Sequence, residues 1–546
     1  LNHKQAKKTY EVILGRLPVF AVILFILLCV VKTPVGRYDE GMAAYNALRV
    51  SSGEIPYKDF WAIYPPGQFF ALAAVYKIAG ASLASVRAYD TLVRFLICLL
   101  LFVFAGRGFN RRAAVPTSIS AAVLMSGAGS FGYSVYPALM FGILALIIAH
   151  EFMQSGRPVF ALLSGVAAGI IADFRLDMSA YILIAVIISV CSAEINRTLP
   201  AKRRLPGRIF NTSAAVLAGF ILTALPVYAA LGAASGLKPL WNQLFIFPAF
   251  GFHSVRTLPL PSLIPDLQGI PNMKDVYLRL SWWLNFYVPF CICAFSFIYE
   301  LGKFLRRHTN RSAGRLLAGF AGLMMFVQAA SRYDILHVMP SALLAVLILI
   351  DWTFDTESGG TRHKIRRPSV SSLIKIVFGG VFLAVFLMLP LKSVVSDFIE
   401  YKPWGCYSHL DRAGCVFVSP DQTAAVEYIT ARTKKDEPIF VGVSRHDRIF
   451  TNDVSFYFLS GRPCAAAYSE LHPGVATTLK VQKEIAADLL AKDVRWVVLW
   501  KGPETLEQNA SSVSSGITYL DDFIRSNFSV AASFGNYSVW TKRRIP

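Results

Sequence analysis

Charge is scarce in this chain. Asp, Glu, Lys and Arg together make up 16% of its 546 residues, against roughly 25% in an ordinary soluble domain. Acids are scarcer still, 34 against 54 basic residues. With 55% hydrophobic residues and a mean hydropathy of +0.49, the chain falls outside the soluble globular class. No internal repeat is detectable, which argues against a secondary transporter, the main competing reading. The C-terminal region has no G-x-G-x-x-G, P-loop or G-x-S-x-G, and so no motif of a nucleotide fold or a serine hydrolase. No second His or Cys stands at ligand spacing from His337, which argues against a metal there. Cysteine is sparse, and Cys29, Cys98, Cys191, Cys291 and Cys293 lie inside apolar runs as small buried side chains. Cys406, Cys415 and Cys464 lie near the C-terminus, where an oxidising compartment would permit a Cys406–Cys415 disulfide.

What is present is a series of apolar runs of roughly 15–23 residues, the length that crosses a bilayer core. They fall near 17–32, 67–82, 88–106, 113–130, 136–153, 158–172, 178–194, 210–233, 283–301, 314–330, 338–353 and 372–396. The first is preceded by Lys4, Lys7, Lys8 and Arg16 and lacks a small-residue cleavage site. It reads as a signal-anchor helix with a cytoplasmic N-terminus. The net charge of +20 is gathered in short loops between runs, a topological signal rather than a nucleic-acid footprint, so no nucleic-acid partner is expected. If every run crossed, the clusters Arg107 to Arg112, Lys202 to Arg208 and Lys303 to Arg311 would all lie outside. Laying 67–82 on the outer face as an amphipathic or re-entrant helix returns them, and Arg362 to Arg367, to the cytoplasm.

The expected fold is thus a polytopic α-helical membrane protein with about eleven transmembrane helices. Residues 1–396 form the membrane domain, with a first outer loop over 33–87. Residues 397–546 form an extracytoplasmic α/β domain, with helices over 421–433 and 475–492 and strands over 438–443, 455–459 and 494–501, closed by a helix end and a strand over 523–540.

This topology puts the polar clusters on one side. Asp39 and Glu40 open the first outer loop, where one carboxylate suits a general base; the plainer reading is a solvated pair beside Arg37 at a helix start. Lys58 and Arg87 suit phosphate ligation, or a solvated charge and an interfacial Arg–Asp pair with Asp90. Asp173-Phe174-Arg175-Leu176-Asp177 and Ser331-Arg332-Tyr333-Asp334 with His337 are two Arg-x-Asp turns on the same face, placed to line a cavity. Arg445-His446-Asp447 and Asn452-Asp453 read as acceptor contacts or as hydrogen-bonded turns. Trp241, Trp282 and Trp283 read as a sugar- or prenyl-stacking surface or as an interfacial belt.

Tyr38-Asp39-Glu40-Gly41, Tyr64-Pro65-Pro66-Gly67 and Val86-Arg87, with Arg332-x-Asp334-x-x-His337 and Arg445-His446-Asp447, resemble the GT-C superfamily of membrane glycosyltransferases. The likeness is greatest to the bacterial protein O-mannosyltransferase and aminoarabinose-transferase type. The resemblance implies inverting transfer of a sugar from a polyprenyl-phosphate donor to a glycan, lipid or protein acceptor, at the outer face of the bacterial inner membrane and without a cofactor. Asp39 would be the general base with Glu40 close by. Lys58, Arg87, Arg175 and Arg332 would meet the donor phosphate, and Tyr64, Asp177, Asp334 and His337 the substrates. Relatives often carry Lys or His before Pro-Pro; Tyr64 stands there in this chain, which moves the phosphate contact to Lys58 or Arg87. A glycan polymerase or ligase using a diphosphate-linked donor is the other enzymatic reading.

Overall fold

A computed structural model describes residues 15–198, 205–266, 272–306, 310–354, 370–505 and 507–543. The basic runs Lys202 to Arg204 and Arg362 to Arg367 and the N-terminal lysines lie outside the described residues. Among the described residues, fifteen α-helices precede the C-terminal region: α1 Leu17–Leu28, α2 Asp39–Ser51, α3 Gly67–Ala79, α4 Leu83–Gly108, α5 Ala114–Gly127, α6 Val135–Ser155, α7 Pro158–Phe174, α8 Leu176–Thr198, α9 Leu205–Ser235, α10 Leu237–Trp241, α11 Phe252–Arg256, α12 Met273–Arg306, α13 Asn310–Ser331, α14 Ile335–Phe354 and α15 Val370–Glu400. A π-helix over Asn242–Gly251 joins α10 to α11.

Among the described residues, 8 helices are long and apolar enough to cross a membrane. The chain is a multi-pass membrane protein. The other expected crossings, at 17–32, 113–130 and 158–172, fall on helices of 12, 14 and 17 residues. The 13 residues of α3 rise about 20 Å, short of the roughly 30 Å of a hydrocarbon core. Instead α3 packs on α2, its Tyr76 hydroxyl donating to the Ala44 carbonyl at 3.1 Å. The Tyr76 ring also stacks on Phe458 of the C-terminal region at 5.9 Å.

The C-terminal region holds α16 Pro420–Thr430, β1 Phe440–Val443, α17 Ser455–Ser460, α18 Leu479–Ala491, β2 Trp496–Trp500, α19 Tyr519–Asn527, β3 Phe528–Phe534 and β4 Tyr537–Lys542. Its four-stranded sheet has the order β1-β2-β4-β3, with β1 and β2 parallel and the rest antiparallel. The 455–459 segment is a helix rather than the expected strand. A short apolar run buried on every side carries no periodicity to tell the two apart, and all six residues of α17 are buried. The 523–540 segment gives a helix end and a hairpin rather than one strand. Cys406 and Cys415 form a disulfide.

The composition shift near residue 397 does not mark a break in packing. Met42, Ala43, Tyr45, Leu72 and Val86 of the 33–87 segment share one hydrophobic core with Val426, Val441, Phe456 and Ile485. The junction is close enough to dictate a residue. A Cβ on Gly41 would lie 2.3 Å from the Ser455 nitrogen, and that nitrogen donates to the Arg37 carbonyl at 3.0 Å. Gly41→Ala is therefore expected to lower Tm and trypsin resistance of the purified protein by parting α2 from α17, whereas Gly53→Ala, with open space around it, pays only its left-handed backbone.

Candidate active site

The 33–87 segment divides its two carboxylates between different tasks. Glu40 is fully buried, and Arg87 Nε and Nη2 donate to its two oxygens at 2.7 and 2.8 Å. Gly36 N donates to the same carboxylate at 2.8 Å. Arg87 Nη1 and Nη2 donate further to the carbonyls of Val31, Thr33 and Pro34 at 3.2, 2.6 and 3.0 Å. Every face of this guanidinium is taken up in tying the 31–36 segment to α2 and α4, so Arg87 is not delivered to a ligand. Its partner is Glu40 rather than Asp90, which pairs with Arg94 at 2.9 Å. Lys58 is exposed on the turn after Pro56 and does not line the cavity described next.

Asp39, one residue before Glu40, starts α2 and makes no hydrogen bond or ion pair among the described residues. Its carboxyl is held above the usual range, first by burial and then by the negative charge of Asp334, against the pull of Arg256, His337 and Arg332. The groups that act on it define the site.

Arg175, Asp177, Tyr64 and His337 meet in a cavity of about 190 Å³ that is also lined by Phe252, His253 and Ser331. Arg175 holds Asp177 through two bonds of 2.9 and 2.6 Å, and its guanidinium lies 5.5 Å from the Tyr64 ring centre. The Tyr64 segment is positioned by a close approach. A Cβ on Gly67 would stand 2.5 Å from the Asp173 carbonyl oxygen, so the Pro65-Pro66-Gly67 corner abuts the 173–177 turn because glycine is there.

On the other wall, Asp334 caps α14. Its Oδ1 accepts from Leu336 N and His337 N at 3.0 and 3.1 Å and lies 2.7 Å from His337 Nδ1. Burial opposes its ionisation, but the His337 contact and Arg332 outweigh that and keep its carboxyl below the ordinary value. Arg332 Nε donates to Asp334 at 3.2 Å. Asp334 also lines an apolar groove of about 260 Å³ with Trp282, Phe286, Val338, Leu389 and Pro390, between α12, α14 and α15.

Three site residues escaped the sequence. Arg256, at the end of α11, is buried, its guanidinium 4.7 Å from the Phe450 ring centre. Its Nη1 has no hydrogen-bond partner among the described residues. Burial and the neighbouring Arg332 both disfavour its charge, so it would gain from an anion. Glu507 arrives from the C-terminal region and pairs with Arg332. Glu470, also from that region, is buried and accepts from the Tyr38 hydroxyl at 2.9 Å. Burial, with Asp39 adding to it, pushes the Glu470 carboxyl up to about 8. The only signal in sequence was Arg256 itself, a lone cation in an apolar aromatic stretch; the two acids stand in ordinary polar surroundings.

The Glu470 shift has a signed consequence. Its proton is held more tightly in the folded state than in the unfolded one, so its contribution is full below about pH 4.5 and is lost as pH rises through about 8. Tm is expected to fall between pH 6 and pH 9, and Glu470→Gln to flatten that fall in a thermal-shift series.

Arg445-His446-Asp447 and Asn452-Asp453 are hydrogen-bonded turns. His446 Nδ1 lies 2.8 Å from Asp521 Oδ1, Arg445 pairs with Asp447 at 2.7 Å, and Asp453 accepts from Tyr537 Oη at 2.6 Å. Among the described residues no three His, Cys, Asp or Glu side chains converge as a metal site requires.

No family model matches the chain, and no curated protein does. Solved structures do. The chain superposes on ArnT, an aminoarabinose transferase, from Cupriavidus metallidurans bound to undecaprenyl phosphate, with a TM-score of 0.52 at 15% identity, covering 97% of this chain and 98% of that one. The oligosaccharyltransferase AglB from Archaeoglobus fulgidus, in complex with an inhibitory peptide and a dolichol-phosphate, gives a TM-score of 0.51 at 12% identity over 97% of this chain and 75% of that one. An oligosaccharyltransferase from Archaeoglobus fulgidus tethered with an acceptor peptide gives a TM-score of 0.51 at 10% identity, over 97% of this chain and 74% of that one. The chain shares the fold of ArnT and of the archaeal oligosaccharyltransferase.

Proposed function

We propose that the protein transfers a sugar from a polyprenyl-phosphate donor to an acceptor at the outer face of the bacterial inner membrane, with inversion at the anomeric carbon. The observation that carries this reading is Asp39. Among the described residues it is an unpartnered carboxylate of raised basicity, within electrostatic reach of Arg256, Arg332 and Asp334, the last a residue of the apolar groove. As the anomeric carbon–oxygen bond breaks, negative charge grows on the leaving phosphate, and preorganised guanidinium groups stabilise it. The acceptor hydroxyl attacks from the opposite face and gives its proton to Asp39. Of the four residues expected at the donor phosphate, Lys58, Arg87, Arg175 and Arg332, this reading keeps Arg332, adds Arg256 and moves Arg175 to the sugar end of the site with Asp177, Tyr64 and His337. The groove lined by Trp282 and Phe286 suits the first isoprene units. ArnT bound to undecaprenyl phosphate and AglB bound to dolichol-phosphate support a lipid-linked donor on this fold.

The test is transfer by the purified protein in proteoliposomes supplied with synthetic polyprenyl-phosphate sugars and the cell's own envelope glycans. A product with the anomeric configuration inverted, read by NMR, is the expected result. Retention would overturn the single-displacement mechanism, and turnover of diphosphate-linked donors alone would replace the donor class.

A further inference from the structure

Both arginines of the proposed phosphate site already face an anion. Arg332 Nη2 and Nη1 donate to Glu507 Oε1 and Oε2 at 2.5 and 3.1 Å. Arg256 Nη1 approaches the same Oε2 at 3.6 Å. Burial disfavours the charge on Arg332, yet the bond to Glu507 more than restores it. The carboxylate is itself held by Asn509 Nδ2, which donates to Oε2 at 3.0 Å, and its own backbone N–H donates to Thr505 Oγ1 at 3.0 Å. Glu507 sits on the segment that follows β2, so it reaches the membrane-domain arginines from the C-terminal region.

A guanidinium fork takes a carboxylate or a phosphate monoester through the same pair of parallel bonds. Two ligands therefore compete for one fork. Arg332 makes its remaining contacts to Asp334 through Nε and to the Arg256 carbonyl through Nη1, the nitrogen it also offers to Glu507 Oε2, while Nη2 is given to Glu507. Arg256 has a buried donor that Glu507 approaches without a hydrogen bond. A carboxylate satisfies one arginine and leaves the other short, whereas the lipid phosphate gains a third terminal oxygen as the sugar leaves it.

Resting on the donor reading above, we infer that Glu507 is an internal competitor for the lipid phosphate: it closes the Arg256–Arg332 clamp in the free protein and must leave it for the donor's phosphodiester, and for the monoester that this becomes when the sugar departs, to bind. Glu507 thereby sets donor affinity without touching the reacting atoms. It also confers selectivity, because only a ligand that engages both arginines repays the broken Glu507 pair.

The inference predicts a change opposite in sign to that of an ordinary stabilising salt bridge. Glu507→Gln is expected to bind a short-chain polyprenyl phosphate about five- to tenfold more tightly, the factor gained when a partly buried ion pair no longer has to open first. Binding is measured calorimetrically on the full chain in detergent, with inorganic phosphate as a parallel arm; a gain shared by both arms places the competition at the phosphate rather than at the prenyl groove. Glu507→Asp, whose shorter carboxylate withdraws from the fork, carries the same expectation should the glutamine variant fail to fold. If wild type binds the lipid phosphate and both variants bind it equally or more weakly, the competitor inference falls while the donor reading stands. If neither wild type nor variants bind it, the donor reading falls and takes the inference with it.

Discussion

Asp39→Asn is expected to reduce transfer by about 10²- to 10⁴-fold, the range that a positioned general base contributes, while leaving Tm within a degree or two of wild type. The side chain makes no hydrogen bond or ion pair among the described residues, so the isosteric amide costs the fold nothing it was using. Its raised basicity, caused by burial and by Asp334, is removed outright. Because the carboxylate form is the active one, wild-type kcat/KM is expected to rise with pH through a pKa above the ordinary Asp value, and that acid limb disappears in the variant. Undiminished transfer by a folded Asp39→Asn protein would take the base away from this residue.

The neighbouring position should behave in the opposite way. Glu40→Ala or Arg87→Ala is expected to destabilise the protein by about 3–5 kcal/mol, because removing one partner leaves the other charge buried and unpaired. Glu40 is fully enclosed, and Arg87 is 1% exposed with its donors distributed over Glu40 and three carbonyls. Loss of activity in these variants should track loss of folded protein in fluorescence-detected size exclusion. The double change Glu40→Gln with Arg87→Met, which removes both charges together, should recover part of the stability. A well-folded Arg87→Ala protein with selectively weakened donor binding would return Arg87 to the phosphate site.

The two expectations show what was legible in the sequence. Adjacent carboxylates beside an apolar run marked the loop, but nothing in Asp39-Glu40 says which one turns inward. That depends on α2 starting at Asp39, which sends the next side chain toward α4. The Arg-x-Asp turns were readable because a charge cluster between two crossings has few uses in a membrane protein, and the structure joins Arg175, Asp177 and His337 in one cavity. Arg256, Glu470 and Glu507 were not readable, since each is an isolated charge whose meaning comes from residues far along the chain. The crossing pattern carried the membrane architecture, whereas the 455–459 helix was lost because burial on all sides erases periodicity. The change in composition near residue 397 marked a change of solvent, not the edge of a packing unit.

That continuous packing imposes an order on biosynthesis. The backbone N–H of Cys464 donates to the Tyr45 hydroxyl across a separation of 419 residues, and the Tyr45 ring stacks on Tyr457 at 5.0 Å. At ~5–20 residues per second, the ribosome needs about 20–80 s to deliver the second half of this contact after the first. For that interval the apolar faces of α2 and α3 stand without the surface that buries them. The nascent loop must wait against the lipid headgroups or a holding partner, and a chain cut short before residue 420 would never assemble the face that carries Asp39.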